Sequence, residues 1–191
     1  MPVTRFEDLD LSKQYTYADY LTWEFSERVE LFNGWVAKMS RAPTSYHQKV
    51  SGELYYHFRK HFGRGPCQVF AAPFDVRLMS KAGADTVVQP DICIICDETK
   101  IDRRGCNGAP DFVIEILSPG NSKRELRDKF GLYEEAGVKE YWVVDPQRRS
   151  VERYVLKDGA FVGLAPRTDE DRAIGSTALE GFIIDGADVF P

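Results

Sequence analysis

The sequence predicts a mixed α/β (α+β) fold: a central mixed β-sheet flanked by α-helices. Three observations predict it. Short runs rich in β-branched and apolar residues, such as CQVFAAPFDVRLM, TVVQPDICIICD, DFVIEIL and EYWVVDP, read as strands. Two longer segments place apolar residues on one helical face. The order helix, hairpin, helix, strands, helix, strands interleaves the two types, as layered mixed folds do. Over 191 residues the hydrophobic fraction is 43% and the aromatic fraction 13%, which excludes a disordered chain and supplies a core without staples.

The elements follow in order. Thr16 opens a short helical pattern, TYADYLTWEFSE, with Asp19 three residues on as a capping partner. RVELFNGWVAKMS reads as a β-hairpin, because Asn33-Gly34 supplies the positive φ that a tight primed turn demands. In APTSYHQKVSGELYYHFRKHFGRG, Ser45 and Gln48 suggest a capping box. Val50, Leu54, Phe58 and Phe62 recur every four residues, and Gly63 and Gly65 stop the helix. A strand block follows, with KAGAD as a turn and DETKIDRRGCNGAP as a polar loop. After DFVIEIL and SPGNS, Ser122 and Glu125 suggest a second capping box, for a helix that Gly137 ends. EYWVVDP is a buried-type strand. SVERYVL and AFVGLA form a closing hairpin through Lys157-Asp158-Gly159, and STALEGFIIDGADVF is another strand or edge piece. One domain over residues 1–191 is expected, with a core of about 15–156 and a C-terminal strand extension over 157–191.

Charge and composition narrow the function classes. The formal net charge is −5 with no long basic run, which argues against gripping nucleic acid by bulk electrostatics. Carboxylates gathered to hold a divalent ion would add such negative charge. No run is long and apolar enough to span a membrane, and the N-terminus lacks a signal-peptide pattern. Cys67, Cys93, Cys96 and Cys106 are too few and too irregular for a disulfide framework, so a reducing cytoplasm is the expected compartment.

Asp91 and Glu115 are the sharpest chemical signal. Each sits in an otherwise apolar strand, QPDICIIC and DFVIEIL. A carboxylate on a half-buried strand is costly unless something pairs it. Two of them on neighbouring strands repel each other unless a hard cation lies between, and Mg²⁺ favours one or two carboxylates plus waters and phosphate oxygens. The bland reading is an acid that emerges at a strand end and is solvated. Lys129 lies on the flank of the inward face that Leu126, Phe130 and Tyr133 define, within reach of Glu115. An ammonium there could orient a water or stabilise a pentacovalent phosphate; the bland alternative is a snorkelling lysine. Glu30 alternates with Phe32, opposite Leu31, as a further candidate acid whose ordinary fate is exposure.

Other constellations carry less. Cys93 and Cys96 point to opposite strand faces, which disfavours a zinc knuckle or redox pair. His57 and His61 are spaced as metal ligands but sit among Arg59, Lys60 and Arg64, as at a solvated basic helix end. His47 follows the helix start. There is no Walker-type or dinucleotide-type phosphate loop and no GxSxG elbow.

QPDI, then DFVIEILSPG, then RELRDKFGLYEEAGVKEYWVVDP closely resembles the Uma-two family, and the likeness extends upstream through ELFNGWVAKMS and His47-Gln48 over about residues 15–156. That family is assigned to the PD-(D/E)xK superfamily. The resemblance therefore implies a restriction-endonuclease-like fold and an endonuclease site. Asp91 matches the motif aspartate, Glu115 the acid of the second strand and Glu30 an early acidic residue. The superfamily lysine two after the acid would fall at Leu117, which cannot serve; in this family it is moved to the following helix, where Lys129 stands. Trp35 occupies a place where relatives often carry an acid.

The expected activity is hydrolysis of phosphodiester bonds in DNA, less so RNA, with Mg²⁺ or Mn²⁺ held by Asp91, Glu115 and the carbonyl of Ile116, and with help from Glu30. His47 and Gln89 are expected as supporting or substrate contacts. The rival expectation is a non-catalytic nucleic-acid-binding or assembly module that keeps the fold; a hydrolase of smaller phosphate esters ranks third. A homodimer is expected, because terminal strands and aromatics offer edges that need covering.

Overall fold

The computed structural model describes residues 3–39, 43–81, 83–119 and 123–190. After a 3₁₀ turn at Phe6–Asp8, α1 (Tyr17–Tyr20) is a single turn whose capping box forms as predicted: the Thr16 hydroxyl accepts from Asp19 N–H and Asp19 accepts from Thr16 N–H. The hairpin of β1 (Val29–Phe32) and β2 (Trp35–Lys38) closes through Asn33 and Gly34 at φ 50° and 81°, the left-handed pair of a primed turn. In α2 (Ser45–Phe62) the cap is Thr44, whose hydroxyl accepts from His47 N–H, so the helix begins one residue earlier than the Ser45–Gln48 box implied. Val50, Leu54 and Phe58 form its buried stripe.

Both apolar runs expected as a strand block break at proline. The first yields β3 (Gln68–Ala71) and β4 (Val76–Met79) around Pro73; the second yields β5 (Asp85–Val88) and β6 (Ile92–Ile95) around Pro90. Proline cannot donate to a ladder, and at each break the chain passes from one sheet to another. The stretch expected as a polar loop instead holds a 3₁₀ turn, Glu98–Lys100, and a hairpin of β7 (Ile101–Asp102) and β8 (Gly105–Asn107), anchored by fully buried Cys106. Gly105, at φ 124°, lets the hairpin approach β4: a Cβ there would lie 2.1 Å from the Asp75 carbonyl oxygen.

Next come β9 (Phe112–Ile116), α3 (Lys123–Ala136), which stops at Gly137 with φ 88°, and β10 (Glu140–Asp145). The Ser122–Glu125 capping box lies outside the described residues. β11 (Ser150–Lys157) and β12 (Ala160–Gly163) form the predicted hairpin over Asp158 and Gly159. β13 (Arg167–Thr168), β14 (Ile174–Gly175), β15 (Ile183–Ile184) and α4 (Gly186–Val189) complete the chain.

Two sheets result. One runs β2-β1-β5-β4-β8-β7; the other runs β12-β11-β10-β9-β6-β3, with β13 beside β11. In the second, β9 and β10 are parallel and the other neighbours antiparallel. This sheet is the middle layer. Ile92, Ile94, Phe112, Ile114 and Trp142 on one face meet Val50, Leu54 and Phe58 of α2. On the other, Cys93, Ile95, Val113 and Tyr141 meet Leu132 and Tyr133 of α3 and Val76, Leu78 and Val88 of the first sheet. Strand alternation produces both faces.

The tail expected as another strand or edge piece forms the two-residue β15 and otherwise covers the α2 layer. Leu179, Phe182, Val189 and Phe190 are buried there, and Phe182 stacks on Phe58 at 4.0 Å between ring centroids. Fully buried Glu140 ties the tail down. Its carboxylate accepts from Trp142 Nε1, Ser176 Oγ, Thr177 N–H and Ala178 N–H at 2.6–2.8 Å. A second difference concerns the thiols. Cys67 and Cys96, opposite each other in the extended β3–β6 register, are joined by a disulfide, while Cys93 and Cys106 are free and buried. No helix among the described residues is long and apolar enough to cross a membrane.

Candidate active site

The antiparallel pairing of β6 with β9 sets Ile92 against Ile114 and Cys93 against Val113. Extended by one residue, that register places Asp91 across from Glu115. Asp91 stands just before β6 rather than within it, and its side chain keeps 23% exposure. Its Oδ2 accepts from Ile116 N–H at 2.7 Å. Glu115 lies inside the buried β9, on the face toward α3.

From α3 comes Lys129, at the centre of the inward face rather than on its flank and only 3% exposed. Its Nζ lies 2.9 Å from Glu115 Oε1 and 3.1 Å from Glu30 Oε1. One turn on, the Tyr133 hydroxyl donates to the same Glu115 oxygen at 2.7 Å. Glu30 arrives from β1 of the other sheet. It is buried, against the ordinary fate of such an acid, and its Oε1 also accepts from Gln89 N–H at 2.8 Å. Gln89 thus holds Glu30 through its backbone. Its side chain accepts from Arg28 and donates to Asp75. From α2, on the opposite side of the sheet, buried His47 sets Nε2 3.4 Å from Asp91 Oδ2, while its Nδ1 has no partner among the described residues. Because Asp91 sits at the strand's entrance, both layers reach it.

The structure therefore brings Glu30, Asp91, Glu115 and Lys129 together, with His47 and Gln89 against them. Sequence reading missed Tyr133 as a partner of Glu115, although its i+4 spacing from Lys129 placed both on one helix face. It missed Arg28 and Asp75 as well, whose charged side chains carried no local signal.

The charges are unbalanced. Burial raises the Glu115 carboxyl to about 7; Lys129 opposes this, but Asp91 and Glu30 add to it. Burial works against the Lys129 ammonium, yet Glu115 and Glu30 hold it protonated well above its ordinary range. One ammonium serves two buried carboxylates, and Asp91 adds a third acid beside them. Burial also disfavours the His47 cation, but Asp91, the Ile116 carbonyl and Glu115 outweigh that and raise its pKa. Such a surplus of hard oxygen donors suits a divalent cation. Two oxygens remain available: Asp91 Oδ1 and Glu115 Oε2 have no hydrogen bond from a described residue. No three His, Cys, Asp or Glu side chains among the described residues cluster tightly enough to hold an ion alone. A metal here would need the two acids, a backbone carbonyl such as that of Ile116, and waters.

The family model described as "Putative restriction endonuclease", Uma2, matches residues 17–187. The chain belongs to the Uma2 family. This Uma2 chain is 27% identical over 119 residues to the uncharacterized protein slr1290 of Synechocystis, a match that covers 60% of each protein. Its fold is similar to a crystal structure described as "a putative nuclease belonging to DUF820" from Anabaena variabilis, with a TM-score of 0.73 and 18% identity over 92% of this chain and 97% of that one. The restriction-endonuclease-like fold that the motifs implied is the fold observed.

Proposed function

We propose that this Uma2 protein is a metal-dependent endonuclease that hydrolyses phosphodiester bonds of DNA. The observation that carries the reading is the gathering of Glu30 and Glu115, drawn from two sheets, on the buried ammonium of Lys129, with Asp91 across from Glu115. A structural ion pair needs one acid, and burying a second beside a third, partly exposed one is costly unless they serve a charged ligand.

Asp91 and Glu115, with the Ile116 carbonyl, would hold Mg²⁺ or Mn²⁺. When bound there, the ion supplies positive charge to the transferring phosphoryl group and acidifies a water. The chain's own residues do the rest. Tyr133 and Lys129 both bond Glu115 Oε1 and so leave Oε2 for the ligand. The Ile116 N–H likewise fixes Asp91 Oδ2 and leaves Oδ1. Lys129 stays protonated, so it donates toward the attacking water or the charged phosphoryl oxygens and does not act as a base. Glu30, locked by Gln89 N–H, holds the ammonium in place from the second sheet.

The test is nicking of supercoiled plasmid with Mg²⁺ or Mn²⁺ by wild type and Asp91→Ala. Wild-type nicking that EDTA and Asp91→Ala both abolish supports the proposal. A folded wild type that binds DNA and never cuts it would favour a non-catalytic module instead.

A further inference from the structure

A cavity of about 240 Å³ opens beside Asp91, on the α2 side. One wall is a polar stripe of α2, Gln48, Ser51, Gly52 and Tyr55, at the i, i+3, i+4, i+7 spacing of one helix face. Arg28 stands at the rim, and Ala71 and Ala72 complete the lining with small apolar groups.

Two properties of the wall bear on what it could take. Its hydrogen-bonding groups are unused: no described residue bonds the Gln48 amide, the Ser51 hydroxyl, the Tyr55 hydroxyl or Arg28 Nη1. All can donate, and the one acid in the lining is Asp91 itself. The second property is Gly52. Glycine inside a long helix is destabilising relative to alanine. Nothing in the fold explains it here, since a Cβ at Gly52 would meet no atom within 4 Å. The missing side chain widens the cavity and serves no internal packing.

We infer that this cavity seats the sugar–phosphate of the nucleotide next to the scissile bond, with Gly52 kept bare so that the strand can approach α2. The inference rests on the nuclease reading and adds the groove through which the strand reaches the acids. Donors without a matching set of acids suit a phosphodiester backbone. The volume lies below the roughly 300–1,000 Å³ of pockets for free small molecules and fits one unit of a polymer. Arg28 links the two sites: it donates to Gln89, whose backbone holds Glu30.

The experiment measures binding and cutting separately. Affinity for a short fluorescein-labelled DNA duplex is read by anisotropy in EDTA, and plasmid nicking is read in Mn²⁺. Gly52→Leu is expected to melt at or above the wild-type temperature, because leucine is the better helix former, and yet to bind the duplex at least tenfold more weakly. The double variant Gln48→Ala/Tyr55→Phe, which adds no bulk, is expected to weaken binding as well. Arg28→Ala should flatten the plot of log affinity against log salt by about 0.9, the loss of one phosphate contact. Gly52→Leu and the double variant binding like wild type, in a protein that still nicks plasmid, would overturn the seat and leave the nuclease standing. A wild type that neither binds nor nicks would overturn the nuclease reading, and the seat with it.

Discussion

In the absence of metal, Glu115 makes the fold less stable as the pH rises. Its carboxyl is held at about 7 against an ordinary 4.5. At about 1.4 kcal/mol per tenfold change in proton affinity, the gap is worth about 3 kcal/mol. The folded chain binds this proton more tightly than the unfolded chain does, so protonation favours the fold. The contribution is complete below the unfolded value of 4.5 and is lost as the pH climbs through about 7. Lys129 does not titrate in that window, because the two acids hold its ammonium protonated far above it. His47, raised by Asp91, the Ile116 carbonyl and Glu115, acts in the same direction, so the wild-type slope alone is not diagnostic. Glu115→Gln removes the term together with the Glu115 share of the His47 shift, since its amide cannot ionise. Urea unfolding in EDTA from about pH 5 to about pH 8 should show wild type losing about 3 kcal/mol more than the variant across the range. Two curves that run parallel would refute the claim that burial and the neighbouring acids raise the Glu115 carboxyl.

Three further outcomes follow from the same contacts. Lys129→Met strands Glu30 and Glu115 without their shared cation; at about pH 8 it should cost roughly 3–5 kcal/mol in urea unfolding. The loss should shrink toward pH 5 as Glu115 takes up its proton, whereas a cost that does not change with pH would contradict the pairing. Mn²⁺ should stabilise wild type at alkaline pH by about 2.7 kcal/mol at a hundredfold excess over its Kd, and Asp91→Asn should lose most of that gain in a thermal melt; equal gains would place the ion elsewhere. Glu140→Gln keeps the shape but weakens the charged acceptor of the Ser176, Thr177 and Ala178 donors. It should cost about 2 kcal/mol and speed amide exchange at Thr177 and Ala178, with cleavage per folded molecule unchanged.

What could be read from the sequence was decided locally. Asn33-Gly34, Thr16 with Asp19, and Asp158-Gly159 dictate their turns and cap through chemistry within a few residues, and each forms as read. Asp91 and Glu115 stood out because a carboxylate in an apolar run demands a partner, but only the β6–β9 register sets them across from each other. What could not be read depends on contacts distant in sequence. Pro73 and Pro90 mark breaks, but nothing nearby says that the chain changes sheet there. The Cys106 hairpin looked polar because its anchor is one residue, buried only when β4 arrives. The tail looked like an edge strand because its apolar residues are short of a helix, yet α2 had a face to cover. Cys67 and Cys96 are 29 residues apart and meet only through the β3–β6 register.

The site divides in the same way. Lys129 was placed a fraction of a turn off centre, because Leu126 and Phe130 drew the predicted stripe away from it. Both are only half-buried, while Leu132 and Tyr133 face the core beside Lys129. Glu30 could be assigned a face by alternation, but its partner comes from a helix about a hundred residues later and was legible only through the family likeness. Arg28 and Asp75 look like ordinary surface charges and become meaningful only once Gln89 lies between them.

The central claim is that Asp91 and Glu115 jointly hold a hard cation beside the Lys129 ammonium. Anomalous diffraction from a crystal soaked in Mn²⁺ addresses it without relying on activity. One strong peak is expected between the two carboxylates, near the Ile116 carbonyl, and none in Asp91→Ala. A peak elsewhere, or a peak between these acids that survives the loss of Asp91, would contradict it.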